Sequence, residues 1–230
     1  MNIFYCSDIG SDIVILSESE SHHAVKVLRM QTGDKIMILD GKGTIAKAEV
    51  LSLHPKSCEC KVMEKTLFSS RPFHLHIAIA PTKLNDRFEW FLEKAAEIGA
   101  EEITPVICSR SERRQTNHER FCKVLLAATK QSMNPYMPVL NEQVEYDKFI
   151  ATQVPGFIAH CYDGKKLLLK DVAINKKRIT ILVGPEGDFT ETEINNALQK
   201  EWIAVSLGST RLRTETAGVI AAHTVTLVNS

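Results

Sequence analysis

The chain has 230 residues, 28 basic and 28 acidic side chains, a formal net charge of zero and 44% apolar residues. That length holds one large domain or two smaller ones with cores of their own, and the balanced charge excludes a global field toward nucleic acid or membrane while leaving room for a local basic patch. No apolar run approaches the roughly 20 residues of a membrane span.

The start, MNIFYCSDIG, lacks the basic and apolar regions of a secretory signal, so a cytoplasmic protein is expected. In that compartment Cys6, Cys58, Cys60, Cys108, Cys122 and Cys161 are expected to be reduced and structural. Only Cys58 and Cys60 are close, and one C-x-C pair is poor zinc spacing, so no metal is expected.

Residues 1–70 read as a small β domain. A weakly alternating strand covers 12–16, and a short helix covers 21–30 with Val25, Leu28 and Ala24 inward. Strands follow at 35–40, 44–53 and 58–65, separated by polar turns at 32–34, 40–43 and 54–56. Close strands with polar turns predict a compact barrel. The adjacent His22 and His23 point in different directions on a helix, so they read as surface residues. The stretch LFSSRP at 67–72 reads as a linker, which places one domain at 1–70 and a second at 71–230.

Beyond the linker, strands and helices alternate, which predicts an α/β domain with a parallel sheet covered on both faces. A strand over 75–80 ends at Pro81, and Asn85 caps a helix running to about 98 with Phe88, Leu92 and Ala95 on one face and Gly99 at its end. Residues 102–107 form the next strand. SRSERRQTNHER, 109–120, has no apolar face and carries Arg110, Arg113, Arg114 and Arg120. An exposed arginine-rich loop suits phosphate binding, and a solvated loop is the plain alternative. A helix over 118–132 buries Phe121, Leu125 and Ala128 and breaks at 133–138; a further strand covers 157–162.

Two dense segments close the chain. LVGPEGDFTETEI (182–194) follows the β-branched strand 179–183. Gly184 and Gly187 bracket a tight loop open to close approach, and Thr190 with Glu193 forms a capping box that opens a helix. SLGSTRLRTETAG (206–218) repeats the scheme: a strand over 203–207, Gly208, then a helix over 217–228. Two strand–glycine–helix turns predict one ligand site at the carboxyl ends of a parallel sheet. Neither matches phosphate-loop or dinucleotide spacing. Backbone amides near a helix start can instead hold a carboxylate or a ribose hydroxyl, against the plain reading of a strand-to-helix turn. Arg211, Arg213, Thr214, Glu215 and Thr216 crowd the last helix start. A helix N-terminus disfavours cations, so the arginines should have an anionic partner unless the segment is a solvated cap.

The whole pattern resembles the RsmE-type 16S ribosomal RNA (uridine-N3) methyltransferases of the SPOUT superfamily. The matching residues are HAVKVLR (23–29), GD (33–34), DGKG (40–43), KLNDR (83–87), EKAAEIG (93–99), ITP (103–105), VGPEG (183–187) and LRTETA (212–217). Three places depart from that pattern: Asp188 stands where the family has a second glycine after GPEG, Thr210 stands where the first arginine of L-G-x-R-I-L-R falls with Arg211 one place later, and an amino-terminal arginine is missing.

The resemblance implies a PUA-like RNA-binding barrel followed by an α/β SPOUT domain with a trefoil knot, a topology no pattern argument proposes. It implies S-adenosylmethionine as cofactor, bound among loops 160–163, 183–187 and 207–213, with Leu182, Val183, Leu207 and Leu212 flanking adenine. Gly184, Glu186, Gly187, Gly208, Arg213 and Thr216 complete that cofactor set. It implies methyl transfer to uracil N3 with Arg213 and Glu215 as catalytic residues, Arg213 stabilising charge and Glu215 accepting the proton or holding Arg213. It places His23, Arg29, Lys83, Arg87, Arg110, Arg113 and Arg114 on the RNA, and implies a homodimer acting on 16S RNA or the small ribosomal subunit. The alternatives are a SPOUT enzyme acting on another ribosomal or transfer RNA position, and a non-catalytic RNA-binding assembly factor.

Overall fold

The structure is a computed structural model that describes residues 1–229. One compact unit comprises Met1–Ser70 together with Leu126–Met137, a stretch the sequence reading placed with the second domain. Its elements are β1 (Asn2–Tyr5), β2 (Ile13–Ile15), α1 (Glu18–His22) running into a π turn (His23–Val27), β3 (Lys35–Leu39), β4 (Thr44–Ser52) and β5 (Glu59–Leu67). They form a five-stranded sheet in the order β1-β3-β4-β5-β2. Only the β1–β3 pair is parallel. Phe4 from one edge strand and Val14 from the other share a single core with Ile36, Ile38, Ala46 and Cys58, so the sheet curls around its own apolar face.

The expected helix at 21–30 is shifted. Ser17 caps α1 by accepting from the Glu20 amide. The π turn then rotates the following side chains off the anticipated stripe, so Ala24 is buried, Val25 is half-buried and Leu28 is exposed. Residues 126–137 are held in this unit by specific bonds: Lys130 Nζ meets both oxygens of the buried Glu20 at 2.8 and 2.9 Å, Pro135 accepts from the Gly43 amide at 2.9 Å, and the Tyr136 hydroxyl donates to the Phe68 carbonyl at 2.7 Å.

The second unit contains β6 (His74–Ile79), α2 (Asn85–Ile98), β7 (Glu102–Ile107), the first half of α3 (His118–Ser132), β8 (Val139–Leu140), β9 (Val144–Glu145) and α4 (Tyr146–Thr152). It continues with β10 (Phe157–Ala159), β11 (Leu167–Leu168), α5 (Leu169–Val172), β12 (Arg178–Val183), α6 (Glu191–Gln199), β13 (Ile203–Ser206) and α7 (Thr214–Asn229). The strands run β11-β13-β10-β12-β6-β7, with β8 and then β9 along the outer edge of β7. Every pairing is parallel. That is the expected α/β architecture, and β6 is a near-continuous buried run because both sheet faces are covered.

The register puts the strand ends level. Ala159 pairs with Val183 and with Val205, and Val183 pairs with Ile79. The loops leaving β6, β10, β12 and β13 therefore converge on one edge, where ligands bind in open parallel sheets. Helix α2 begins differently from the expectation. Leu84, in extended conformation, occupies its cap position, and Asn85 is the first helical residue and makes no cap bond. At the other end Gly99 takes the left-handed conformation (φ +92), and Arg71 donates to the Ile98 carbonyl at 2.6 Å. Helix α7 starts earlier than residue 217, at Thr214. Gly218 lets it press onto the sheet: a Cβ there would lie 2.6 Å from the Phe91 ring and 2.8 Å from Ile79.

Candidate cofactor and catalytic site

A cleft of about 750 Å³ opens at the carboxyl ends of β10 and β12, walled by the loops after those strands and by the approach to α7. A second cavity of about 270 Å³ shares Cys161, Asp163, Arg211 and Leu212 with it and extends to Leu207 and Gly208. The two are lobes of one site.

Side-chain bonds to backbone hold the loops together. The Thr214 hydroxyl donates to the Gly184 carbonyl at 3.0 Å, tying the start of α7 to the loop after β12. Gly184 is needed for packing, since a Cβ would lie 2.9 Å from the Phe189 ring. The Glu186 carboxylate accepts from the Lys83 amide at 2.9 Å. Arg110 Nη1 donates to the Gly187 carbonyl and to the Tyr162 hydroxyl, both at 2.9 Å. Asp188 sits at φ +59; its carboxylate accepts the amides of Cys161 and Phe189, each at 2.8 Å. The capping box predicted at Thr190 and Glu193 is present, and the same Glu193 also accepts from the Ser109 amide at 2.8 Å.

Val183, Gly184, Glu186, Gly187, Leu212 and Arg213 line the main lobe, and Leu207 and Gly208 line the second. Two expected cofactor residues do not face the cleft. Leu182 is wholly buried in the core beneath the sheet, because neighbouring strand residues point to opposite faces and Val183 takes the site side. Thr216 faces a separate cavity of about 340 Å³, with Asp86, Arg87, Trp90, Arg213 and Glu215; helical spacing turns it away, and Thr214 stands in the main lobe instead.

Arg211 and Arg213 are exposed beside the start of α7 and have no ion pair among the described residues. The anionic partner expected from the helix start is thus not supplied by this unit's own acids. Glu215 is buried at 6% exposure. Its Oε1 lies 3.9 Å from Arg87 Nε, and its Oε2 is buried without a hydrogen-bond partner. His160, on the second lobe, also has a buried, unpartnered Nδ1. Burial, followed by the nearby Lys166, lowers its pKa and favours the neutral ring.

The sequence model of an RNA methyltransferase domain matches residues 69–226. The chain belongs to that RNA methyltransferase family. A companion RNA methyltransferase PUA domain matches residues 16–63. A solved structure from Porphyromonas gingivalis, described as a probable rRNA-methyltransferase, is 35% identical, with a TM-score of 0.90 over 100% of this chain and 98% of that one. The structure of Ribosomal RNA small subunit methyltransferase E from Neisseria gonorrhoeae, bound to S-adenosyl methionine, is 27% identical, with a TM-score of 0.87 over 96% of this chain and 95% of that one. The Bacillus subtilis Ribosomal RNA small subunit methyltransferase E is 27% identical over 90% of this chain and 86% of its own. The fold is accordingly the SPOUT-type α/β domain with a PUA-like β unit.

In this RNA methyltransferase the expected RNA contacts fall in both units, and each is described within its own. His23 is half-buried with its ring edge-on to Phe4, centroids 6.3 Å apart, and Arg29 is exposed at φ +51. Lys83 pairs with Glu112 at 2.7 Å on the surface. Arg113 is a brace, with Nε and Nη2 donating to the Thr82 and Lys83 carbonyls at 3.0 and 2.6 Å; a loop without secondary structure has carbonyls that need donors. Arg110 is similarly engaged, while Arg114 is exposed and makes one 3.3 Å bond to the Ser109 carbonyl. Among the described residues no cluster of His, Cys, Asp and Glu is placed to hold a metal, and no helix is long and apolar enough to cross a membrane. Asp86, within the KLNDR motif, and Trp90 are not among the site residues expected from the sequence. Trp90 lies off the buried stripe of Phe88, Phe91, Leu92 and Ala95, and a tryptophan on a helix's polar face was the available signal.

Proposed function

We propose that this RNA methyltransferase transfers a methyl group from S-adenosylmethionine to N3 of a specific uridine in 16S ribosomal RNA of the small subunit. The observation that carries this is Arg213: an exposed, unpaired cation that lines both the main cleft and the cavity holding Glu215. It stands where a methyl donor and an acceptor would meet. The relatives named small subunit methyltransferase E support the substrate.

The cleft fits the cofactor on its own chemistry. Unpaired Arg211 and Arg213 suit a carboxylate, the buried Nδ1 of His160 needs a polar partner, and the backbone at Gly208 is open, with nothing within 4 Å of a Cβ position. When bound, S-adenosylmethionine supplies an electrophilic methyl on a sulfonium. Val183, Leu207 and Leu212 would flank the adenine, and the backbone of Gly184, Gly187 and Gly208 would meet its polar edge and the ribose.

Uracil N3 is a poor nucleophile until its proton leaves, and charge then spreads to the flanking carbonyl oxygens. Glu215 would accept the proton at its free Oε2. Arg213 would stabilise the developing charge. Of the two roles open to Glu215, the pairing favours proton acceptance, since its near neighbour is Arg87 rather than Arg213. Arg114, Lys83, His23 and Arg29 would contact the RNA.

We place the activity in a cytoplasmic homodimer. On α7, Ala221, Ala222 and Val225 are buried within the chain and cannot form that interface; half-buried Val219 and Ile220 and exposed Leu227 remain. Sedimentation as a monomer at working concentration would remove the dimer.

The deciding experiment is methylation of small-subunit RNA, free and assembled, followed by nucleoside analysis. N3-methyluridine is the expected product. A methyl on a ribose hydroxyl would replace the base target, and no cofactor binding in calorimetry would leave a non-catalytic RNA-binding factor.

A further inference from the structure

The cavity of about 340 Å³ beside Arg213 has a lining of one aromatic, two cations, two carboxylates and a hydroxyl: Trp90, Arg87, Arg213, Asp86, Glu215 and Thr216. The two cations and two anions cancel, and carboxylates on the wall repel a phosphate, so the cavity suits a neutral polar ligand. Trp90 is 41% exposed. It stands on the same face of α2 as Asp86, one turn on, so its ring forms a wall of the cavity. Glu215 is buried and brings a carboxylate oxygen with no partner. A buried acceptor left unpaired is costly, and a ligand N–H would satisfy it.

We propose that this cavity is the pocket for the acceptor base, a uracil turned out of its stack, with Trp90 stacked on its face. This rests on the methyltransferase reading above and names the subsite for its substrate. The Watson–Crick edge of uracil reads carbonyl, N3–H, carbonyl. The wall offers groups of the complementary kinds: two cationic donors, Arg87 and Arg213, and the acceptor Glu215. Cytosine presents an amino group and an unprotonated N3 on that edge, which leaves a guanidinium and the carboxylate both unmatched. Stacking on Trp90 would offset part of the cost of extracting the base. Arg213 borders both cavities, so a base seated here lies against the cofactor lobe.

The chain has two tryptophans, and the other, Trp202, is buried at 2% exposure, so fluorescence changes on RNA binding report Trp90. The experiment titrates the wild-type protein, with S-adenosylhomocysteine present to prevent turnover, with an RNA fragment carrying the unmethylated target uridine. The same fragment with an abasic target position serves as control. Quenching by the uridine fragment and not by the abasic one is expected, and Trp90→Phe should lose the tryptophan signal. In turnover, Trp90→Ala should lower kcat/KM for RNA by about tenfold with cofactor affinity unchanged, and Trp90→Phe should recover most of it. Wild-type methylation of uridine with no quenching and a Trp90→Ala kcat/KM within about twofold of wild type would overturn the pocket and leave the proposed function standing. A Trp90 signal that changes with protein concentration in the absence of RNA would overturn it too, since a second copy would then cover the residue. Failure of the wild type to methylate any uridine would remove the underlying reading first.

Discussion

The carboxylate of Asp188 accepts the backbone N–H of Cys161 at 2.8 Å, so the loop after β12 holds the loop after β10 across the mouth of the main cleft. The family pattern has glycine at this position, and φ +59 explains why. Asp tolerates the left-handed conformation at some cost and gains a bond that glycine cannot make. The carboxylate that could have crowded the cofactor is instead turned onto two amides.

Asp188→Gly should therefore lower stability by only about 1 kcal/mol, because relief of about 1 kcal/mol of backbone strain offsets part of the loss of about 2 kcal/mol from two hydrogen bonds. Cofactor affinity should fall about fivefold as loop 160–163 loosens, which corresponds to about 1 kcal/mol. Calorimetric titration with S-adenosylmethionine and a thermal melt measure the two effects. Unchanged affinity would mean that loop 160–163 is held in place without Asp188.

Arg213→Ala should lower the methyl-transfer rate by about 100-fold or more, the scale of removing one donor from a developing negative charge. Cofactor binding should weaken only modestly, since Arg211 lines the same cleft. Single-turnover rates with saturating cofactor separate the two, and normal turnover by Arg213→Ala would end its assignment. Glu215→Gln should preserve the packing of the buried side chain and lose the rate, because an amide cannot take the N3 proton.

Arg113 and Arg114 are neighbours in sequence with different predicted consequences. Arg114→Ala should reduce the slope of log affinity against log salt by about 0.7, one phosphate contact to single-stranded RNA, and leave stability alone. Arg113→Ala removes two bonds to the Thr82 and Lys83 carbonyls, so it should cost about 1–2 kcal/mol of stability. Filter binding across a salt series and urea unfolding distinguish them. Equal effects of the two variants on both measurements would refute the division.

The parallel sheet was legible because its strands are β-branched runs ended by Pro81, Gly184 or Gly208, and because Thr190 and Glu193 spell a capping box. Helix α3 was legible from Phe121, Leu125 and Ala128. What sequence could not show depends on tertiary partners. The inward face at 21–30 departs from a regular helical stripe because a π turn changes the period after His22. Leu182 and Val183 look alike in a hydrophobic run, and only the sheet decides which faces the cleft. Arg113 reads as a free cation until the carbonyls it meets are known. The unpartnered Oε2 of Glu215 and the wall made by Trp90 arise from α2 and α7 meeting, residues 86–90 against 213–216, which no local pattern encodes.

His76 gives a pH dependence with a definite sign. It is fully buried on β6, its Nε2 is 2.7 Å from the Thr104 hydroxyl, and Asn141 Nδ2 donates to that hydroxyl and to Glu102 at 2.8 Å each. Glu102 also pairs with Arg178 at 2.9 Å and lies 3.6 Å from His74. Burial lowers the pKa of His76 to about 4; Glu102 opposes that shift, while Arg178 and His74 add to it. In the unfolded chain the imidazole titrates at its ordinary value near 6.5. Between these values the unfolded chain takes up a proton that the folded one refuses, so the folded state is most favoured above about pH 6.5 and loses stability as the pH falls toward 4, by up to about 1.4 kcal/mol per pH unit. Glu102, whose own pKa is lowered, holds its contribution above its ordinary value and loses it only at lower pH, so the two windows follow one another with the same sign. Urea midpoints should therefore drop steadily from pH 7 to pH 4.5 in the wild-type protein. His76→Asn, which has no titrating group, should start lower and show a flatter slope over that interval. A slope identical to wild type would assign the pH dependence to other groups.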